Sequence, residues 1–411
     1  MKCVVIGGGA SGMFCAGMLA QNGHDVTLLE KNEKLGKKLY ITGKGRCNVT
    51  NDADRETLLQ NIVTNPKFAI SALSKFTPQD TMAFFEEKGV PLKVERGNRV
   101  FPQSDKSSDI IKALEKWLQK VGVNVLLNQE VKGIKIADNG AVGVFTHTGE
   151  ILADKIIVAT GGISYPATGS TGDGYKWAKA LGHTINELKP GLNGMLAKGT
   201  TPLSGLTLKN VRAEIYSNDS LLDSEFGEML FTHVGVSGPI ILSLTSRINK
   251  YYTHGAFNRD IELRIDLKPA ISDEELNQRL IKDFKEKANL DIKNLMPQYL
   301  PKALIEYVLR QANIKENIKC NSITVQMREN LIKALKGLRF KIQGIDKIEA
   351  SIITSGGIDV KEISPKDMQS KIIPNLYFIG EVLDIDALTG GFNIQLALST
   401  AYAMAKSLEN E

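Results

Sequence analysis

Three glycines, Gly7, Gly9 and Gly12, stand in the run Val4-Val5-Ile6-Gly7-Gly8-Gly9-Ala10-Ser11-Gly12. They follow an apolar, strand-like stretch and open a helix-like one, Met13 to Gln21. In that setting the first glycine permits a tight turn, the second lets backbone approach a pyrophosphate, and the third lets helix pack closely on strand. The helix N-terminus then points free N–H groups at phosphate. Eighteen residues past Gly12, the strand-like Asp25-Val26-Thr27-Leu28-Leu29 runs into Glu30, placed to hydrogen-bond a ribose hydroxyl and to reject a 2′-phosphate. The competing explanation is a glycine-rich turn in another kind of α/β protein. Strand, helix and acid together favour a dinucleotide site.

Other residues have the chemistry of a site. Cys47 directly follows Arg46 in a basic loop, an environment expected to lower a thiol pKa. Its role is a proton donor or redox thiol, or a small residue packed against a bound group. His233 and Tyr165 are candidates for a proton relay, although a lone His or Tyr commonly serves structure. Glu381 ends a strand-like run beside Gly380, where backbone must come near a ligand; the plainer role is a solvated carboxylate. Asp384 and Asp386 lie in the loop that follows, placed to meet substrate, with solvent-facing turn carboxylates as the default. Asp173 is expected to cap a helix running from Tyr175.

The elements that must position these residues alternate between strand and helix over residues 1–190. Ser107 and Ser108 are expected to cap a helix carrying Ile110, Ile111, Leu114, Trp117, Leu118 and Val121. A β-meander follows (Val123 to Leu127, Val131 to Ile136, Ala141 to Thr146), with Asn139-Gly140 as a turn, and then a buried parallel strand, Ile156-Ile157-Val158. Near Lys189-Pro190-Gly191 the texture changes to alternating apolar and polar residues, which suggests a barrel-like β domain. From Ser272 to Lys336 the pattern is helical, with Ser272-Asp273-Glu274-Glu275 as cap and first turn. Leu376-Tyr377-Phe378-Ile379 is a buried strand, and a last helix spans Ile394 to Leu408. The fold class is α/β, a Rossmann-like domain at 1–190 and 345–411. Inserted in it are a barrel-like domain at 191–270 and 337–344 and a helical segment at 271–336.

At 411 residues the chain can bury a large core without staples, and 42% apolar with 24% charged residues is ordinary for a globular enzyme. Four scattered cysteines argue against a disulfide framework or zinc site, with Cys3 and Cys15 expected to be buried. No stretch approaches a membrane span, so a cytoplasmic protein is expected. Net charge is +5. Its one local concentration is Lys31, Lys34, Lys37, Lys38, Lys44 and Arg46. A solvated loop with some residues facing phosphates is preferred there to a nucleic-acid footprint, which would also need aromatic or groove-reading partners.

Several separated motifs resemble the YhiN/BaiN-like (HI-type) family of bacterial flavoproteins, and the resemblance covers essentially the whole chain. Besides the first glycines they are Thr42-Gly43-Lys44-Gly45-Arg46-Cys47-Asn48-Val49-Thr50-Asn51, Ala159-Thr160-Gly161-Gly162, Thr168 to Gly174, Phe231-Thr232-His233-x-Gly235-x-Ser237-Gly238-Pro239, and Gly380-Glu381-Val382-Leu383-Asp384 through Gly390-Gly391-Phe392-Asn393-Ile394-Gln395. The loop at 45–51 and the segment at 380–395 are the specific ones; Lys44 departs from the glycine common in the family. The resemblance implies bound FAD, an inserted β domain and redox chemistry. It implies cofactor contacts from Gly7, Gly9, Ala10, Ser11, Gly12, Glu30, Lys31, Lys38, Arg46, Cys47, Asn48, Val131, Ala159, Thr160, Gly161, Gly380, Glu381, Gly391, Asn393 and Ile394. Cys47, His233 and Asp384 are the catalytic candidates.

The last helix, opening at Gly390-Gly391, would then set its positive end toward the flavin pyrimidine edge, where reduction places negative charge. With one dinucleotide fingerprint in the chain, NAD(P)H is expected to bind transiently as reductant, or another reductant is used. Three substrates stand open: a steroid-like enone, a small amine, and a uracil in ribosomal RNA. Two further classes are a flavin-supported RNA methyl transfer, for which no folate site is discernible, and a non-enzymatic flavin-bound RNA-binding or sensor protein.

Overall fold

The computed structural model describes residues 1–137 and 140–409. The chain divides into two compact units, Met1–Gly191 with Lys347–Glu411, and Leu192–Asp346.

The first unit is built on a five-stranded sheet. Its strands run, in spatial order, Leu376–Phe378, Lys155–Val158, Lys2–Ile6, Asp25–Leu29 and Asn124–Leu126, every neighbouring pair parallel. Parallel strands are covered on both faces, so they read as continuous apolar runs rather than alternations. Val4, Val5, Ile156, Ile157, Leu376 and Phe378 are accordingly buried. The register is Val5 opposite both Leu28 and Ile157, and Ile157 opposite Tyr377. This brings the carboxyl ends Ile6, Leu29, Val158 and Phe378 to one edge. Ligands in open α/β sheets bind beyond that edge, where the loops carrying Gly7, Glu30, Ala159 and Gly380 begin.

Local differences from the expected elements have physical causes. Asn124–Leu126 joins the parallel sheet, and the antiparallel meander consists of Val131–Ala137, Gly140–Thr146 and Gly149–Leu152. The Asn139-Gly140 turn lies outside the described residues. The helix Ser107–Lys120 begins without a side-chain cap, because the Ser107 hydroxyl donates to the Tyr40 carbonyl instead (2.7 Å). Asp173 is not a cap either. It is the first residue of the helix Asp173–Ala180, and Gly172 occupies the capping position in a left-handed conformation. The last helix starts two residues earlier than its periodicity indicates, as Phe392–Ser407.

In the second unit six strands close a barrel in the order Met195–Ala197, Gly235–Ser237, Ser220–Phe231, Thr207–Ser217, Ile261–Asp266 and Leu338–Ile345. Inward residues alternate, as Ile261, Leu263 and Ile265 do. Ser272 and Glu275 form the expected reciprocal cap of the helix Asp273–Glu286. Leu276, Leu280, Leu331 and Leu335 belong to the same apolar core as the barrel strands, so barrel and helices form one unit.

Candidate active site

The cradle at the sheet's carboxyl edge is made of close approaches. A side chain at Gly12 would place its Cβ 1.8 Å from the Gly7 carbonyl oxygen, and one at Gly7 would lie 2.5 Å from that of Ala159. Both glycines are therefore required by the fold itself. Gly9 differs. It precedes the helix Ala10–Gln21 at φ −83°, a conformation open to any residue, and a Cβ there meets nothing within 4 Å. No neighbour among the described residues demands a glycine at that point. The first helical turn has no side-chain cap and no acidic residue, so its N–H groups are left for an anion.

Glu30 lies beside this turn, with Oε2 accepting the Gly8 N–H (2.8 Å) and Oε1 accepting the Asn32 N–H (2.8 Å). The backbone of Glu30 accepts from Gln129 N–H (2.9 Å), which brings the start of the strand at Val131 alongside. Lys31 pairs with Asp173 (2.7 Å), an interaction that helps hold the Asp173 carboxyl below its ordinary value against the opposing effect of burial, the largest influence on it.

The C-terminal segment reaches the same edge. Gly380 packs on the first helix so closely that a Cβ would lie 2.6 Å from Ser11 Oγ. Glu381 is not a free strand-end acid. Its carboxylate accepts both contacts of Lys38 Nζ (2.8 and 2.9 Å) and the Thr354 N–H (2.9 Å), while Lys38 also donates to Ser164 Oγ (2.6 Å). A Cβ on Gly391 would sit 2.3 Å from the Thr50 carbonyl oxygen and 2.9 Å from Asn48 Oδ1, which brings the opening of the last helix onto the 48–51 loop. Asn393 clamps the preceding loop, its Oδ1 accepting from Ala387 N–H (2.9 Å) and its Nδ2 donating to the Ala387 carbonyl (2.7 Å). Its side chain is thus committed to the loop. Ile394, in the same first turn, is half-buried.

The basic loop overturns two expectations. Burial alone pushes the Cys47 thiol up to about 12, so it is a neutral thiol at physiological pH. Arg46, expected to activate it, stacks on Phe101 (4.0 Å to the ring centre) and pairs with Glu95 and Asp105. Lys37 pairs with Glu33, so Lys31, Lys37, Lys38 and Arg46 all have acidic partners. The cluster is mostly neutralised. Lys44 holds φ 57°, the left-handed region that suits glycine, so the loop keeps that turn despite the substitution.

Asp384 and Asp386 are buried rather than solvent-facing. Asp384 Oδ2 accepts from Asn186 Nδ2 (2.7 Å) and Asn65 Nδ2 (3.1 Å), and burial raises its pKa. His233 lies in the second unit, exposed, its carbonyl accepting from the Thr201 hydroxyl (2.9 Å). Tyr165 is half-buried with φ 51°.

Sequence reasoning missed Ser164 and Thr354, which hold Glu381, and Asn65 and Asn186, which hold Asp384. It also left Gln395 without a role. Gln395 is fully buried; its Oε1 accepts from Thr81 (2.8 Å) and Thr50 (2.5 Å), and its Nε2 donates to the Phe76 carbonyl and to Ser399 Oγ (both 3.0 Å). Its glutamine identity, inside an apolar helix, was the available signal.

The residues present fit a dinucleotide. Gly9 leaves room where phosphate would approach backbone, and the buried Asn48 Oδ1 and Thr160 Oγ1 have no hydrogen-bond partner among the described residues. Buried polar atoms are rarely left so, and both atoms could hydrogen-bond a bound group. No group of acidic, His or Cys residues among the described residues could hold a metal ion. No described helix is long and apolar enough to cross a membrane.

The model of the HI0933-like protein Rossmann domain matches residues 1–407. A ribosomal RNA dihydrouridine synthase of Haemophilus influenzae is 31% identical, over 99% of this chain and 98% of its own. A 3-dehydro-bile acid delta(4,6)-reductase of Clostridium scindens is 28% identical, over 98% of each chain. Among solved structures, the 3-ketosteroid delta1-dehydrogenase of Sterolibacterium denitrificans shares the fold at TM-score 0.53 and 13% identity, covering 99% of both chains.

Proposed function

The chain belongs to the HI0933-like family, and from that premise we propose that it is a FAD-dependent reductase of a C=C bond conjugated to a carbonyl, acting on a uracil of ribosomal RNA. The observation that carries the reading is the convergence at one sheet edge of an unfilled Gly9, Glu30 and the opening of the last helix against Asn48. FAD, when bound, supplies two-electron transfer, with NAD(P)H as its transient reductant. Gly9, Ala10 and Ser11 would hold the pyrophosphate, Glu30 the ribose, and Asn48 with Thr160 the polar atoms of the bound group. Ala159, Gly161 and Gly380 bring backbone close to it. The first turn of the last helix, without an acidic residue, favours negative charge on the group facing it.

One relative is a ribosomal RNA dihydrouridine synthase and the other a 3-dehydro-bile acid delta(4,6)-reductase, and the RNA reading follows the 31% relative. A small enone is the second reading, favoured by the pairing of Lys31, Lys37, Lys38 and Arg46, which leaves little free positive charge in that loop for phosphates. We place the protein in the cytoplasm, with ribosomal RNA. Mass analysis of ribosomal RNA from a strain lacking the protein decides between them. Loss of a dihydrouridine is expected; an unchanged inventory returns the substrate to the small enone.

A further inference from the structure

Asp386 is 1% exposed, in the two-residue strand Asp386–Ala387 paired antiparallel with Ile62–Thr64. Its Oδ2 accepts the Ser355 hydroxyl (2.8 Å), whereas its Oδ1 is buried with no hydrogen-bond partner. A carboxylate with one bare oxygen out of water is costly, and no described cation pairs with it. Asp384 and Glu381, both negative, act on it, and Ser355 supplies a neutral hydrogen bond. The lysines nearest those acids are already engaged: Lys38 with Glu381, and Lys189 with Glu187. Ala387, the next residue, is gripped on both its N–H and carbonyl by Asn393, so the acid is tied to the loop that opens the last helix.

We propose that Asp386 is a redox-linked proton site: it binds a proton as electrons enter the neighbouring cofactor site and releases it as they leave. The inference rests on the flavin reading above. Two electrons arriving from a nicotinamide or chemical reductant add negative charge nearby. The Asp386 carboxylate then takes one proton from water, forming an O–H bond on Oδ1, and returns it to water on reoxidation. By linkage, a proton taken up on reduction makes the reduction potential fall as pH rises. Burial first, and then the field of Asp384 and Glu381, pushes Asp386 up to about 6 from its ordinary 3.8, within reach of such a shift. Asp386 acts on the site through this charge and is a positioning residue, not a group shown to touch substrate.

Two measurements on the full chain test this, with Asp386→Asn as the variant that mimics the neutral acid. Without cofactor, the folded protein binds more protons at Asp386 than the unfolded chain between pH 4 and pH 6, so this group's contribution to stability falls as pH rises across that window. Chemical denaturation should show a fall that Asp386→Asn lacks, and identical pH profiles would overturn the buried acid. With FAD bound, the potential of the wild type should fall above pH 6 more steeply than that of Asp386→Asn, by up to about 30 mV per pH unit for one proton per two electrons. Equal slopes would overturn the redox linkage. Should Asp386→Asn fail to fold, a carboxylic-acid carbonyl band rising on reduction of the wild type and shifted in Ser355→Ala supports the site, and its absence overturns it. A protein that binds no FAD would instead overturn the function proposed above while leaving the first measurement intact.

Discussion

The cradle at residues 7–30 and the segment at 380–395 meet at the same sheet edge, yet they are specified differently. In the cradle, spacing along the chain fixes the geometry. Gly7 and Gly12 approach each other across one turn, and Glu30 ends the adjacent strand. In the C-terminal segment, apart from the Asn393 clamp on Ala387, the partners come from other parts of the chain: Gln395 holds Thr50 and Thr81, Glu381 holds Lys38, and Asp386 meets Ser355. A local motif can be read from a local run of residues; a clamp assembled from distant pieces shows only that a polar residue is present.

The sharpest way to break this contrast lies inside the cradle. Gly12→Val forces a Cβ to 1.8 Å from the Gly7 carbonyl and should prevent folding, a loss beyond about 4 kcal/mol. Gly9→Val should leave the free energy of unfolding within about 1 kcal/mol of wild type while abolishing FAD retention. Equal damage from both would mean that Gly9 serves the fold and not a ligand. Next in size, Gln395→Ala strands the Thr50 and Thr81 hydroxyls and leaves the Phe76 carbonyl with the Ser399 hydroxyl alone, and should cost about 2–4 kcal/mol in urea titrations. A near-neutral result would remove the clamp from the account of the C-terminal segment.

Smaller effects sharpen the roles of individual charges. Lys38→Met breaks a partly exposed pair with Glu381 and should cost about 1 kcal/mol or less. A larger loss would place Lys38 among the residues that organise the site. Smallest of all is Cys47. Its thiol should resist alkylation at pH 8 in the folded protein and react only when denatured, because burial keeps it protonated. Rapid native alkylation would restore the reactive thiolate that the basic loop suggested.

The sheet, its edge and the glycine turn were legible because they depend on periodicity and short spacing. The barrel was legible as alternation in Ile261 to Ile265, and the helix at Asp273 through its reciprocal cap. The electrostatics were not. Arg46 adjoins Cys47 in sequence, but its guanidinium stacks on Phe101 and pairs with acids at 95 and 105. Asp384 and Asp386 look like turn acids until the strands carrying Thr64 and Ser355 and the side chains of Asn65 and Asn186 enclose them. Charge in a sequence has no direction, and the partners that give it one lie tens to hundreds of residues away.

The anaerobic absorption spectrum of the purified protein, titrated with NADH and NADPH in turn, addresses the central claim most directly. A flavin band belonging to FAD, bleached by one of the two nicotinamides without any other protein, is expected. A protein that carries no FAD, or whose FAD stays oxidised with both, would contradict a nicotinamide-driven flavin reductase.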